Sequence, residues 1–190
     1  PASVNTSAQA TAVIDFDGDG DLDLIVGGRI TNQYPTSPRS YILQNDNGVF
    51  HDVTNAVCPE LANAGMITAI VAADFDNDKK TDLIIAGEWM PLLFFKNVGG
   101  RFKNVTLQTG LFNINGMWRS LEATDIDKDG DIDFVAGNLG LNCRYHITPD
   151  KPMWQYAKDL DGNGSIDPVI GYYIKDNTSD SKLYPAVSLN

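Results

Sequence analysis

Residues 15–28 read DFDGDGDLDLIVGG, and the same order of residues returns three more times: DFDNDKKTDLIIAG at 74–87, DIDKDGDIDFVAGN at 125–138 and DLDGNGSIDPVIGY at 159–172. Each copy sets acidic or amide side chains at alternate positions, closes on Asp, and runs into apolar and β-branched residues that mostly end in Gly. A polar loop leading into a short β-branched run bounded by Gly reads as a turn entering a strand. Short apolar or small-residue runs also precede the loops, at 11–14, 69–73, 121–124 and 155–157. The unit is therefore strand, acidic loop, strand.

A second element follows the first two copies. Residues 41–54 (YILQNDNGVFHDVT) and 93–106 (LFFKNVGGRFKNVT) share an apolar strand, an Asn, a Gly-containing turn, a Phe and a closing Val-Thr, which is a hairpin signature. No stretch of a dozen residues carries a 3.6-residue period, and only 56–66 reads as a short helix. The expected fold is all-β, with repeat units at about 11–68, 69–119, 120–154 and 155–190 forming a single partial β-propeller over 1–190. Four-stranded units of this size match propeller blades, and propellers close with about 4–8 of them. The third unit is short and the fourth stops soon after its loop. The expectation is three to four blades of a larger propeller, whose exposed blade edges would let this piece self-associate.

The loops read as metal sites. Numbered from the first Asp, positions 1, 3, 5 and 9 are Asp15, Asp17, Asp19 and Asp23; Asp74, Asp76, Asp78 and Asp82; Asp125, Asp127, Asp129 and Asp133; and Asp159, Asp161, Asn163 and Asp167. Carboxylates converging from alternate positions repel unless a cation sits among them. An all-oxygen set without His or Cys suits Ca²⁺ and disfavours Zn²⁺ and Cu²⁺. Mg²⁺ rarely takes an all-protein cage. Position 7 varies (Asp21, Lys80, Asp131, Ser165), as a residue donating only its backbone carbonyl can. Position 6 is Gly20, Gly130 and Gly164, consistent with a left-handed turn. Lys79 breaks that pattern and makes the second loop the most doubtful, with the fourth next. These are not EF-hands: position 12 is Val26, Ile85, Ala136 and Ile170 where a bidentate Glu would stand.

Composition agrees. The chain has 190 residues, a net charge of −11 and 43% hydrophobic residues, enough for a core. Only Glu60, Glu88 and Glu122 are Glu among 25 acidic residues, and 17 of the 25 lie in the four loops. Four calcium ions would bring −11 to −3, so the acidity is mostly ligand charge. Such a surface disfavours nucleic acid, and no apolar run nears the roughly 20 residues of a membrane helix.

D-x-D-x-D-G-x-x-D followed by an apolar strand and Gly resembles the FG-GAP/VCBS repeat, found also in the propellers of integrin α-subunits. The resemblance implies a propeller, usually seven-bladed, with Ca²⁺ in a hairpin loop of each blade. Its ligands would be the side chains at positions 1, 3, 5 and 9 and the position 7 carbonyl. The stretch GNLG at 137–140, the segment 159–173 and Tyr184-Pro185 look like the ASPIC/UnbV-type branch of bacterial secreted proteins.

Little else points to chemistry. His51 falls in the hairpin opposite Lys103 in the alignment and reads as solvent-facing; His146 lies in an irregular stretch. No nucleophile elbow, P-loop or dinucleotide fingerprint is present. Trp89, Trp118 and Trp154 suit either blade packing or a sugar or protein partner, and Asn138, Asn142, Arg144 and Tyr145 form a polar-aromatic cluster. Asn5, Asn104, Asn163 and Asn177 head N-x-S/T sequons. Cys58 and Cys143 allow one bridge or two buried thiols. The start, Pro1-Ala2-Ser3, reads as a trimmed product whose signal peptide is gone. The expected function is a non-catalytic, calcium-binding propeller segment of a secreted or cell-surface protein, an adhesion-type module presenting a face to a protein or glycan. The alternative is a calcium-dependent hydrolase or lyase acting on polysaccharide or phosphoester.

Overall fold

The structure is a computed structural model that describes residues 7–140, 143, 145, 147–175 and 181–186. His146, Asn142, Arg144, Asn5 and Asn177 lie outside the described residues. The chain divides into two compact units, one of residues 1–31 and 36–138, the other of residues 32–35 and 139–190.

The first unit is built from antiparallel meanders. Strands β1 (Ser7–Ile14), β2 (Asp23–Ile30), β3 (Tyr41–Asp46) and β4 (Val49–Asp52) form one four-stranded sheet in chain order. Strands β5 (Met66–Ala73), β6 (Asp82–Met90), β7 (Leu93–Asn97) and β8 (Phe102–Asn104) repeat that order. Strands β9 (Gly116–Thr124) and β10 (Asp133–Asn138) begin a third copy, and β9 also pairs with the end of β6. An α-helical turn, α1 (Thr54–Val57), and a 3-10 turn at Pro59–Asn63 replace the single helix expected over 56–66. Pro59 ends the first, because the residue before a proline avoids the α region.

Side-chain alternation explains why β6 is apolar at nearly every position. Leu83 and Ile85 face the first sheet, joining Ile25, Ile42, Ile67 and Phe95 in one core. Ile84 and Ala86 face the third, joining Phe94, Trp118 and Leu121, with Phe134 packed alongside, in a second. A strand buried on both faces loses the period-2 alternation of a half-solvated one. Gly27 permits the close approach of the first two sheets: a Cβ there would lie 2.6 Å from Ile67 Cγ2. Meander sheets stacked face to face in chain order make the unit propeller-like.

All three opening strands carry a bulge at the same place, leaving Gln9, Thr68 and Arg119 without a partner in register. The strands therefore start before the apolar runs visible in sequence. Beside the bulges, Glu88 is 5% exposed and accepts from Arg29 of the first repeat (2.5 Å) and Arg119 of the third. Thr68 Oγ1 donates to the carbonyls of Ala86 and Trp118. One buried carboxylate thus ties three repeats at the end of the sheets away from the acidic loops.

The second unit holds the three-stranded meander β11 (Trp154–Lys158), β12 (Asp167–Lys175) and β13 (Ser181–Pro185), with the fourth acidic loop between β11 and β12. Tyr145 packs edge-on to Tyr172, with ring centroids 4.8 Å apart.

Candidate metal centres

Every acidic loop joins the first two strands of its repeat, and the four are wired alike. The N–H of position 6 donates to the position 1 carboxylate in each: Gly20 to Asp15, Lys79 to Asp74, Gly130 to Asp125, Gly164 to Asp159. The N–H of position 7 donates to the side chain of position 5: Asp21 to Asp19, Lys80 to Asp78, Asp131 to Asp129, Ser165 to Asn163. The N–H of position 2 donates to the position 9 carboxylate: Phe16 to Asp23, Phe75 to Asp82, Ile126 to Asp133, Leu160 to Asp167. Short Asp side chains bonding to nearby N–H groups make the tight curl. Here lies the reason for Asp over Glu.

Positions 4 and 6 are both left-handed throughout. Gly18, Asn77, Lys128 and Gly162 have φ of 80°, 60°, 65° and 75°; Gly20, Lys79, Gly130 and Gly164 have 96°, 67°, 97° and 85°. Lys79 therefore keeps the loop shape at the cost of an L-residue in the left-handed region, about 1–2 kcal/mol. The doubt that its side chain raised about the backbone of the second loop is removed. Position 4 went unread in sequence because only two of its four residues are Gly.

The curl brings carboxylates together. Ligand oxygens lie within 4.8 Å of one another in four sets: Asp15, Asp17 and Asp19; Asp74, Asp76 and Asp78; Asp125, Asp127 and Asp133; Asp159, Asp161 and Asp167. Position 9 was expected to close every site, and it joins these sets only in the third and fourth loops. In the first two, the Asp23 and Asp82 side chains are fully buried, and their second oxygens accept the N–H of Asn45 and Asn97 from the third strand. Burial pushes both carboxyls above the usual range, against those N–H bonds. Among the described residues of the third and fourth repeats, no Asn N–H on a third strand is bonded to Asp133 or Asp167, and both carboxylates join their sets. Asp129 is placed outside the third set.

The residues fit a hard cation. The Oδ1 of Asp125 is buried without a hydrogen-bond partner, and a buried carboxylate oxygen left so is costly. In the fourth loop, backbone N–H groups, chiefly that of Gly164, hold the Asp159 carboxyl below its usual range, so it stays anionic. The second loop differs. Lys96 bonds to Asp76 and to Asp78 (3.1 Å), and Lys80 to Asp78 (3.3 Å). The Lys96 ammonium is the main reason the Asp78 carboxyl lies low, and Asp76 the main reason Lys96 lies high.

The hairpin repeat explains itself through Asn and Thr. Asn45 and Asn97 accept from Gly48 and Gly100 in their turns. Asn97 Nδ2 also reaches the Phe16 carbonyl of the first repeat at 2.8 Å, below the Phe16–Phe102 ring contact at 5.8 Å. Thr54 and Thr106, the ends of the two Val-Thr pairs, are buried and accept the N–H of Ile42 and Phe94.

The other candidates separate. Trp118 is core. Trp89 is half-buried with φ of 61°, and Trp154 is exposed. His51 is exposed on β4. Cys58 and Cys143 are both free; burial pushes the Cys58 thiol up to about 12.

A family model described as FG-GAP-like repeat matches residues 15–85 and 74–136. These spans hold the first three acidic loops and both hairpins. Residues 137–140, 159–173 and 184–185, on which the ASPIC/UnbV resemblance rests, fall outside them. No curated protein matches the chain.

Proposed function

The chain belongs to the FG-GAP-like repeat family, and from that premise we propose that it is a calcium-binding, non-catalytic propeller segment of a secreted or cell-surface protein. The observation that carries the reading is the fourfold recurrence of one hydrogen-bonded curl that gathers three carboxylates within 4.8 Å. Repeats of this family often bind calcium, typically occur in extracellular proteins and are generally non-catalytic. Among the described residues, no helix is long and apolar enough to cross a membrane.

Calcium's task is structural. Each ion offsets the repulsion of its carboxylates and fixes the turn between the first two strands of a repeat. Extracellular modules bind calcium with Kd of roughly 10⁻⁴–10⁻³ M. Ten times that concentration stabilises the fold by about 1.4 kcal/mol per site. Rigid strands then present the loops and edges to a protein or glycan partner, and solvent-facing apolar side chains such as Val13 and Val135 offer a surface for self-association.

Amide hydrogen exchange tests this reading loop by loop. Millimolar Ca²⁺ should slow exchange at residues 15–23, 125–133 and 159–167, and the same concentration of Mg²⁺ should not. Unchanged exchange in calcium would remove the metal from the account.

A further inference from the structure

The two hairpins align residue for residue, and the alignment sets Lys96 where the first repeat has Gln44. Gln44 Nε2 donates to Asp17, position 3 of its own loop, at 2.5 Å. Lys96 Nζ reaches the same position, Asp76, and also position 5, Asp78. The third member of that converging set, Asp74, already has its two oxygens on the N–H groups of Asp78 and Lys79. Counting Lys79, Lys80 and Lys96, the second loop sets three ammonium groups against four carboxylates. The first loop sets none against its five, with neutral Gln44 as its hairpin neighbour.

We propose that Lys96 is the resident cation of the second loop: its ammonium lies between the position 3 and position 5 carboxylates and stands in place of the divalent ion that the other loops take. A tethered ammonium holds these oxygens at any calcium concentration. A divalent ion would have to displace it, and would meet carboxylates whose charge is largely compensated already. The consequence is a division of labour among repeats. The second, whose β6 is buried on both faces, keeps its loop formed when calcium falls, while the other three loops loosen.

The ion count rests on the calcium reading of the other loops; the role of Lys96 without calcium does not. The test uses K96Q, which installs the residue of the first repeat, and K103Q, which changes an exposed lysine on β8. Equilibrium dialysis against millimolar CaCl₂ with metal analysis should find three ions on the wild-type chain and one more on K96Q. In EDTA, K96Q should melt a few degrees below wild type and K103Q should melt with wild type, because only K96Q removes the ammonium between Asp76 and Asp78 and leaves Lys80 alone beside Asp78. If neither protein takes up calcium, the calcium reading fails, and the EDTA melts alone decide on Lys96. Four ions on the wild-type chain, or an EDTA melt that K96Q leaves unchanged, overturns the assignment.

Discussion

Asn97→Ala should destabilise the chain by about 2–4 kcal/mol, whereas Asn45→Ala, at the matching position of the first hairpin, should cost only about 0.5–1 kcal/mol. Both side chains accept a turn N–H, from Gly100 at 3.0 Å and from Gly48 at 2.8 Å. Both donate within their own repeat, Asn97 to the Thr81 carbonyl and Asn45 to that of Leu22. The difference is the bond from Asn97 to the Phe16 carbonyl in the neighbouring repeat. Asn97 is 3% exposed and Phe16 equally so. Truncation therefore strands a buried carbonyl, which costs about 1–3 kcal/mol. The half-exposed Thr81 and Gly100 recover part of their bonding from water, adding about 0.5 kcal/mol each. Leu22 and Gly48 are exposed, and water replaces Asn45 almost fully. Guanidinium unfolding in saturating calcium, followed by Trp fluorescence, gives both values if m is unchanged. Two variants within about 0.5 kcal/mol of each other would refute the view that this bond joins the first two repeats.

Glu88→Ala should cost about 3 kcal/mol, the lower end for breaking a buried ion pair because Arg119 stays half in water; the chemical midpoint checks it, and a loss under 1 kcal/mol would count against the three-repeat tie. Asp127→Asn keeps the oxygen that accepts from Asp129 N–H and removes one repelling charge, so its melt in chelator should match or slightly exceed wild type while about 1.4 kcal/mol of calcium stabilisation disappears at ten times Kd. An equal loss in both buffers would make the residue structural. Cys58, buried and with its thiol pushed up to about 12, carries almost no thiolate at neutral pH. Thiol titration should count one reactive cysteine in the native chain and two in denaturant; two in the native chain would contradict the packing around Cys58.

The loops and strands were legible because their signals are local. An Asp at every second position, Gly at position 6 and a β-branched run after Asp23 or Asp82 each act within about ten residues. The hairpins were legible for the same reason, down to the Asn and the Val-Thr, although their purpose was not. What Asn97 does depends on the Phe16 carbonyl, 81 residues away in sequence. The bulges at Gln9, Thr68 and Arg119 interrupt the apolar period, so the N-terminal halves of β1, β5 and β9 do not read as strand. Position 9 differs among the loops for a long-range reason as well: Asp23 and Asp82 accept the N–H of Asn45 and Asn97 from the third strand, and the fourth repeat's third strand, β13, carries no Asn. Lys96 was visible as a residue but not as a neighbour of Asp76, since a hairpin must fold before the two meet.

The central claim, that the acidic loops are calcium sites that stabilise the fold, is tested most directly by thermal melts of the chain in EDTA, in millimolar Ca²⁺ and in millimolar Mg²⁺. The account predicts a rise of several degrees in calcium over EDTA and little or none in magnesium, because three sites at about 1.4 kcal/mol each sum to about 4 kcal/mol. Three superimposable melts would contradict it, leaving the loops as hydrogen-bonded turns that need no ion.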